Sequence, residues 1–141
     1  MKCEQTCSLN PDYYAFNDTN LGPICVLYCP ATYYRHLPNR TCLQACPAPD
    51  YFRDPTTMRC VKVCPDHYFA ESVGQVCVAN CSGTSKYGLN NVCWPGCTGE
   101  YSADSTTFLC VKKCPFTYFS ELNVCTQNCA IGYADPISKV C

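Results

Sequence analysis

The sequence predicts a small disulfide-rich tandem repeat, an elongated rod of short β-hairpin-like loops with little regular secondary structure and no single hydrophobic core. Three observations predict it. The chain of 141 residues carries 17 cysteines, above the level of about 8–10% that marks a disulfide scaffold. They recur as C-x-x-x-C pairs at Cys3/Cys7, Cys25/Cys29, Cys42/Cys46, Cys60/Cys64, Cys77/Cys81, Cys93/Cys97, Cys110/Cys114 and Cys125/Cys129, followed by Cys141, with 10 to 17 residues between successive pairs. A period this short marks an array of small units. Finally, 11 prolines and 7 glycines interrupt the chain too often for long helices or strands.

One continuous array of about eight units accounts for residues 1–141: 3–24, 25–41, 42–59, 60–76, 77–92, 93–109, 110–124 and 125–141. Aligned on the second cysteine of each pair, the units approach C-P-x-x-Y-F/Y-x-D/E-x-T-x-x-C-V-x-x-C. The fullest copies are Cys46-Pro47 with Tyr51-Phe52 and Asp54, Cys64-Pro65 with Tyr68-Phe69 and Glu71, and Cys114-Pro115 with Tyr118-Phe119 and Glu121. Tyr13-Tyr14, Tyr33-Tyr34, Tyr87, Tyr101 and Tyr133 occupy the same place in the weaker copies. Proline after the second cysteine fixes one backbone angle, and the mid-loop Asp/Thr/Gly/Asn cluster supplies turn chemistry, so each unit reads as a small hairpin. One ring per unit can stack on a neighbouring ring or disulfide, giving a narrow apolar spine. A longer period overlies the first: Tyr51 to Pro65 reappears as Tyr101 to Pro115, a shift of three units or about 50 residues.

The repeat restricts disulfide pairing without deciding it. A serial scheme joins Cys7 to Cys25, Cys29 to Cys42, Cys46 to Cys60, Cys64 to Cys77, Cys81 to Cys93, Cys97 to Cys110, Cys114 to Cys125 and Cys129 to Cys141, leaving Cys3 unpaired or intermolecular. A scheme of two-unit modules joins first cysteines to first and second to second, leaving Cys141. The three-unit superperiod is out of phase with two-unit modules and favours the serial scheme. A bridge closing about 14 residues removes denatured-state entropy worth roughly 3 kcal/mol. Cross-links therefore substitute for a hydrophobic core, and a reducing agent should collapse the fold.

Composition narrows compartment and partners. Cytosolic glutathione would keep so many thiols reduced, so the chain is expected to be secreted or at the cell surface. Zinc modules favour C-x-x-C knuckles, which are absent, and neither His36 nor His67 falls at ligand spacing. A formal net charge of -1 with interspersed signs gives no basic stripe for nucleic acid. No apolar run reaches the roughly 20 residues that cross a bilayer, so membrane insertion by this segment is not expected. The start, Met1-Lys2-Cys3, lacks the apolar region of a secretion signal, which reads as an interior or mature segment of a longer secreted polypeptide.

Candidate sites are few. Three sequons, at Asn17, Asn39 and Asn80, are glycan acceptors in a secreted chain, the first two in exposed loops; Asn80 is weaker because the cysteine at its centre is expected to be bridged. Thr56-Thr57 and Thr106-Thr107 read as turn formers before O-glycan acceptors. Neither histidine has an associated nucleophile, so no enzyme activity, cofactor or metal is expected. Asp54, Asp104 and Asp135 recur once per loop without the D-x-D/N clustering of a calcium site.

The string Cys60-Val61-Lys62-Val63-Cys64-Pro65-Asp66-His67-Tyr68-Phe69 resembles the growth-factor-receptor-type, furin-like cysteine-rich repeats, and within them the cysteine-rich surface and secreted proteins of ciliates and other protists. The resemblance spans essentially the whole chain. It implies a rod, stalk, coat or receptor ectodomain without choosing among them. Because the register starts and stops in mid-unit and Cys3 is left over, the expectation is a glycosylated structural protein. Head-to-tail self-association would form or decorate a filament or surface coat. The alternative is a stalk or ligand-binding ectodomain segment of a surface receptor or adhesin.

Overall fold

The structure, a computed structural model, describes Cys7 and residues 12–141. Cys3 lies outside the described residues. Among those described, the fold is all β, with fourteen strands of three to five residues and no helix. The chain divides into two compact units, the first comprising residues up to Pro65 with Ser72–Cys77, the second Asp66–Glu71 with Val78–Cys141.

In the first unit, strands β1 (Tyr14–Asp18) and β2 (Gly22–Val26) form a five-residue hairpin. Strands β3 (Tyr34–His36) and β4 (Thr41–Leu43), then β5 (Phe52–Asp54) and β6 (Arg59–Val61), form three-residue hairpins. Each hairpin then pairs in parallel with the returning strand of the next: Ala15 opposite Thr41, Arg35 opposite Arg59, and Arg53 opposite Val76 of β8 (Val76–Val78).

The second unit repeats the plan. Strand β7 (Phe69–Glu71) sets Ala70 opposite Val92; β9 (Tyr87–Leu89) and β10 (Val92–Trp94), β11 (Ser102–Asp104) and β12 (Leu109–Val111), and β13 (Phe119–Glu121) and β14 (Val124–Thr126) are antiparallel hairpins. Gly88 lies opposite Leu109, Ala103 opposite Val124, and Ser120 bridges Val140 in the same parallel sense. Parallel neighbours ordinarily need a long crossover. Here each parallel contact is one residue pair, reached because a whole hairpin intervenes.

The interior is cystine and carboxylate. The largest fully buried side chains are Asp54, Asp104 and Cys77, while Leu21, Val73, Phe116, Leu122 and Ile137 are among the exposed hydrophobic residues. Units this small have too little volume to enclose large apolar side chains. Among the described residues a small apolar cluster joins Cys97, Ala103 and Cys110 with Tyr87, Leu89 and Tyr101 against it, in place of the single hydrophobic core of a globular domain.

Candidate functional site: the joint between hairpins

The disulfides follow the serial scheme. The first unit has Cys7–Cys25, Cys29–Cys42, Cys46–Cys60 and Cys64–Cys77; the second has Cys81–Cys93, Cys97–Cys110, Cys114–Cys125 and Cys129–Cys141, with sequence separations of 11 to 18. The two-unit scheme, which would have joined Cys7 to Cys29, is therefore excluded. From β2 to β14, each returning strand carries one of these cysteines at its second or fourth position, so the bridge ties the hairpin to the loop before it.

One hydrogen bond recurs at every joint. The amide of the second residue of the first strand donates to a carbonyl of the following hairpin: Ala15 to Arg40 at 2.8 Å, Arg35 to Met58 at 2.9 Å and Arg53 to Gln75 at 2.8 Å in the first unit. In the second unit Ala70 donates to Asn91 at 2.7 Å, Gly88 to Phe108 at 2.8 Å, Ala103 to Asn123 at 2.7 Å and Ser120 to Lys139 at 2.8 Å. Every acceptor stands two residues before a cysteine and has a positive φ, between 48° and 61°. The left-handed turn points its carbonyl out of the hairpin toward the preceding one. None of these residues is glycine, so each joint holds a conformation that L residues disfavour by roughly 1–2 kcal/mol.

Side chains reinforce the joint in two ways. In the first unit, Arg35 Nη2 donates to Thr57 O at 2.9 Å and Arg53 Nη2 to Gly74 O at 2.7 Å, both on the turn of the next hairpin. Their guanidinium groups lie 6.0 and 5.9 Å from the ring centres of Tyr14 and Tyr34, one hairpin back, a cation–π distance. In the second unit the reinforcement comes from the left-handed residue itself. Asn91 Nδ2 donates to Tyr68 O at 3.2 Å, and Asn123 Nδ2 to Gly99 O at 2.9 Å and Tyr101 O at 2.7 Å.

Two loops share a carboxylate turn. Asp54 accepts from Thr56 N at 2.9 Å, Thr56 Oγ1 at 2.6 Å and Thr57 Oγ1 at 2.5 Å; Asp104 accepts from Thr106 N at 2.9 Å and from Thr106 Oγ1 and Thr107 Oγ1 at 2.7 Å. Burial alone would raise both carboxyls, but these donations outweigh it and hold them below the usual 3.8. All four threonine hydroxyls are thus committed to the turns. Asp135 makes an exposed version with one donor fewer, accepting from Ile137 N at 2.8 Å and Ser138 Oγ at 2.7 Å. No group of three or more His, Cys, Asp or Glu suited to a metal occurs among the described residues.

His36 fills the strand position held by Asp54 and Asp104, and its loop has no threonine pair. It is 4% exposed, neither ring nitrogen has a hydrogen-bond partner, and it packs edge-on against Tyr51 at 4.8 Å. Desolvation lowers its pKa below the usual 6.5. His67 is exposed.

The tyrosine spine is capped mainly by cations. Lys62 lies over Tyr51, Lys86 over Tyr87 and Lys112 over Tyr101, at 5.4 to 5.8 Å. Ring-on-ring contact is represented by Phe16 and Tyr33 at 5.0 Å. Tyr133 departs from the spine, being 95% exposed. Of the sequons, Asn39 and Asn80 are exposed in a turn and a bend, and Cys81 within the latter is bridged. Asn17 is exposed but sits in β1 opposite Pro23, not in a loop. Sequence reasoning missed the left-handed joint residue, the two arginines and the buried His36.

The chain is a cysteine-rich, disulfide-laddered β repeat, and no protein-family model, no curated protein and no solved structure matches it.

Proposed function

We propose that this chain is a non-enzymatic extracellular structural protein, glycosylated at Asn17 and Asn39, that forms or decorates a filament or surface coat, and that it is akin to the furin-like repeats of protist surface proteins. Eight disulfides fit an oxidising, secreted or cell-surface environment. The observation that carries the assembly reading is the uniform joint. Seven times, one carbonyl two residues before a cysteine receives one amide of the preceding hairpin. A hairpin from another copy would offer the same donors and acceptors as the next hairpin of the same chain. A contact of that kind is heterologous and propagates without closing.

Analytical ultracentrifugation and intact-mass analysis of the secreted protein without reductant test this. Concentration-dependent species above 15.7 kDa, together with glycan mass at Asn17 and Asn39, are the expected outcome. A strictly monomeric particle with an alkylatable Cys3 contradicts the assembly reading.

A further inference from the structure

The two copies of the three-unit superperiod run nearly in step, so the places where they differ are informative. Among the differences that change an apolar residue of the first copy into a polar one of the second, Phe52 becomes Ser102, Val63 becomes Lys113 and Ala70 becomes Ser120. All three polar residues line a single cavity of about 210 Å³ within the second unit. That is the space of roughly seven waters at about 30 Å³ each, smaller than the pockets of about 300 Å³ and more that hold drug-sized ligands.

The lining holds three lysines, the Ser102 and Ser120 hydroxyls and one carboxylate, Glu100. Ser102 is 4% exposed, and its hydroxyl lies 2.5 Å from that of Ser120. Two hydroxyls carry two protons and their mutual bond uses one, so the pair keeps a donor. Lys139 Nζ gives one proton to Phe116 O at 2.6 Å and is held over the rings of Phe116 and Phe119 at 5.1 Å. An ammonium has two more protons to give. Lys112 pairs with Glu100 at 2.9 Å, which neutralises that lysine, whereas Lys113 makes no ion pair among the described residues. Two ammonium groups therefore remain uncompensated around a hydroxyl pair, on a chain whose net charge is -1.

From this arrangement we infer a binding site for a tetrahedral oxyanion, the sulfate or phosphate group of an ester. Lys113, Lys139 and the Ser102/Ser120 pair line the same cavity, and an acceptor with oxygens on several sides meets donors spread around it better than a carboxylate, whose two oxygens lie in one plane. Charge-assisted hydrogen bonds supply the affinity. The first copy, with Phe52, Val63 and Ala70 at these positions, has none of the added donors.

Amide chemical shifts followed by NMR during titration of the intact oxidised protein test the site. Sodium sulfate and sodium phosphate, against sodium acetate at matched ionic strength, should give saturable shifts at Ser102, Ser120 and Asn123 for the oxyanions alone. Galactose 6-sulfate and glucose 6-phosphate then distinguish the two ester sources by which binds more tightly. Lys113→Val and Ser120→Ala install the residues of the first copy; each should weaken binding about tenfold. Two variants keep the test open should one fail to fold. Equal response to acetate, no saturation with either oxyanion, or unchanged affinity in a folded variant overturns the assignment.

Discussion

The two compact units build one backbone joint and secure it in opposite directions. In the first, arginines at the centre of β3 and β5 reach forward onto the turn of the next hairpin and lie over the tyrosine of the previous one. In the second, the corresponding strand positions hold Ala70, Gly88, Ala103 and Ser120, and asparagines reach back from the turn. Asparagine tolerates the left-handed region better than most residues, so Asn91 and Asn123 relieve strain and add a bond at once. Arginine does nothing for the strain but brings a charged donor, about twice as strong as a neutral one. The backbone hydrogen bond is thus the invariant part, and side chains are interchangeable around it.

The largest effect that would break this symmetry sits at Gly88. A Cβ there would lie 2.5 Å from Phe69 Cε1, so Gly88→Ala must displace a packed ring. We expect a loss toward the upper end of the roughly 1–3 kcal/mol typical of overpacking, confined to the second unit. Urea denaturation with intact disulfides, read by amide exchange in each unit, measures it. The same substitution being neutral would mean that the strand–ring contact is loose.

Next come the carboxylate turns, which the two units share. Asp54→Ala and Asp104→Ala each strand three donors, and each should cost about 2 kcal/mol. Because the geometries coincide, the two losses should agree; a large disparity would separate the loops energetically. Both folded carboxyls are held below 3.8, so their stabilisation is complete above that value and disappears as pH falls through the lowered one.

A smaller contrast compares the reinforcements directly. Arg53→Ala removes a charged donor and a cation–π contact, for about 1–2 kcal/mol. Asn123→Ala removes two neutral donations, for about 1 kcal/mol from the bonds, plus relief lost at the positive φ. Thermal melts of the two variants, with and without Asn123→Gly, separate bond from strain.

His36 gives the smallest effect and the one confined to the first unit. Its folded pKa is lowered, so the neutral ring stabilises the fold above 6.5, and that stability is lost as pH falls through the lowered folded value. Acidification through that range should loosen exchange around β3, where His36 is buried. His36→Phe should abolish the loosening.

Much of this fold was readable from the cysteines, because a disulfide framework is written in spacing. The Asp-x-Thr-Thr turns were readable too, since that chemistry needs those residue types in order. The joint was not. Apart from Asn91 and Asn123, the joint residues Arg40, Met58, Gln75, Phe108 and Lys139 share no chemistry, only a backbone angle, and that angle leaves little mark on side-chain choice. Tyr133 carried the spine's residue type without its burial, as the last hairpin is formed only by isolated bridges. The cavity at Ser102, Lys113 and Ser120 was visible in principle as the mismatch between the superperiod copies, but only the fold brings those positions together.

The central claim is the repeated joint, and hydrogen exchange at the seven donor amides tests it most directly. In the oxidised protein, Ala15, Arg35, Arg53, Ala70, Gly88, Ala103 and Ser120 should be protected well beyond the exposed turn residues of the same hairpins, and protection should vanish from all seven on reduction. Exchange at these amides as fast as in the neighbouring turns would contradict it.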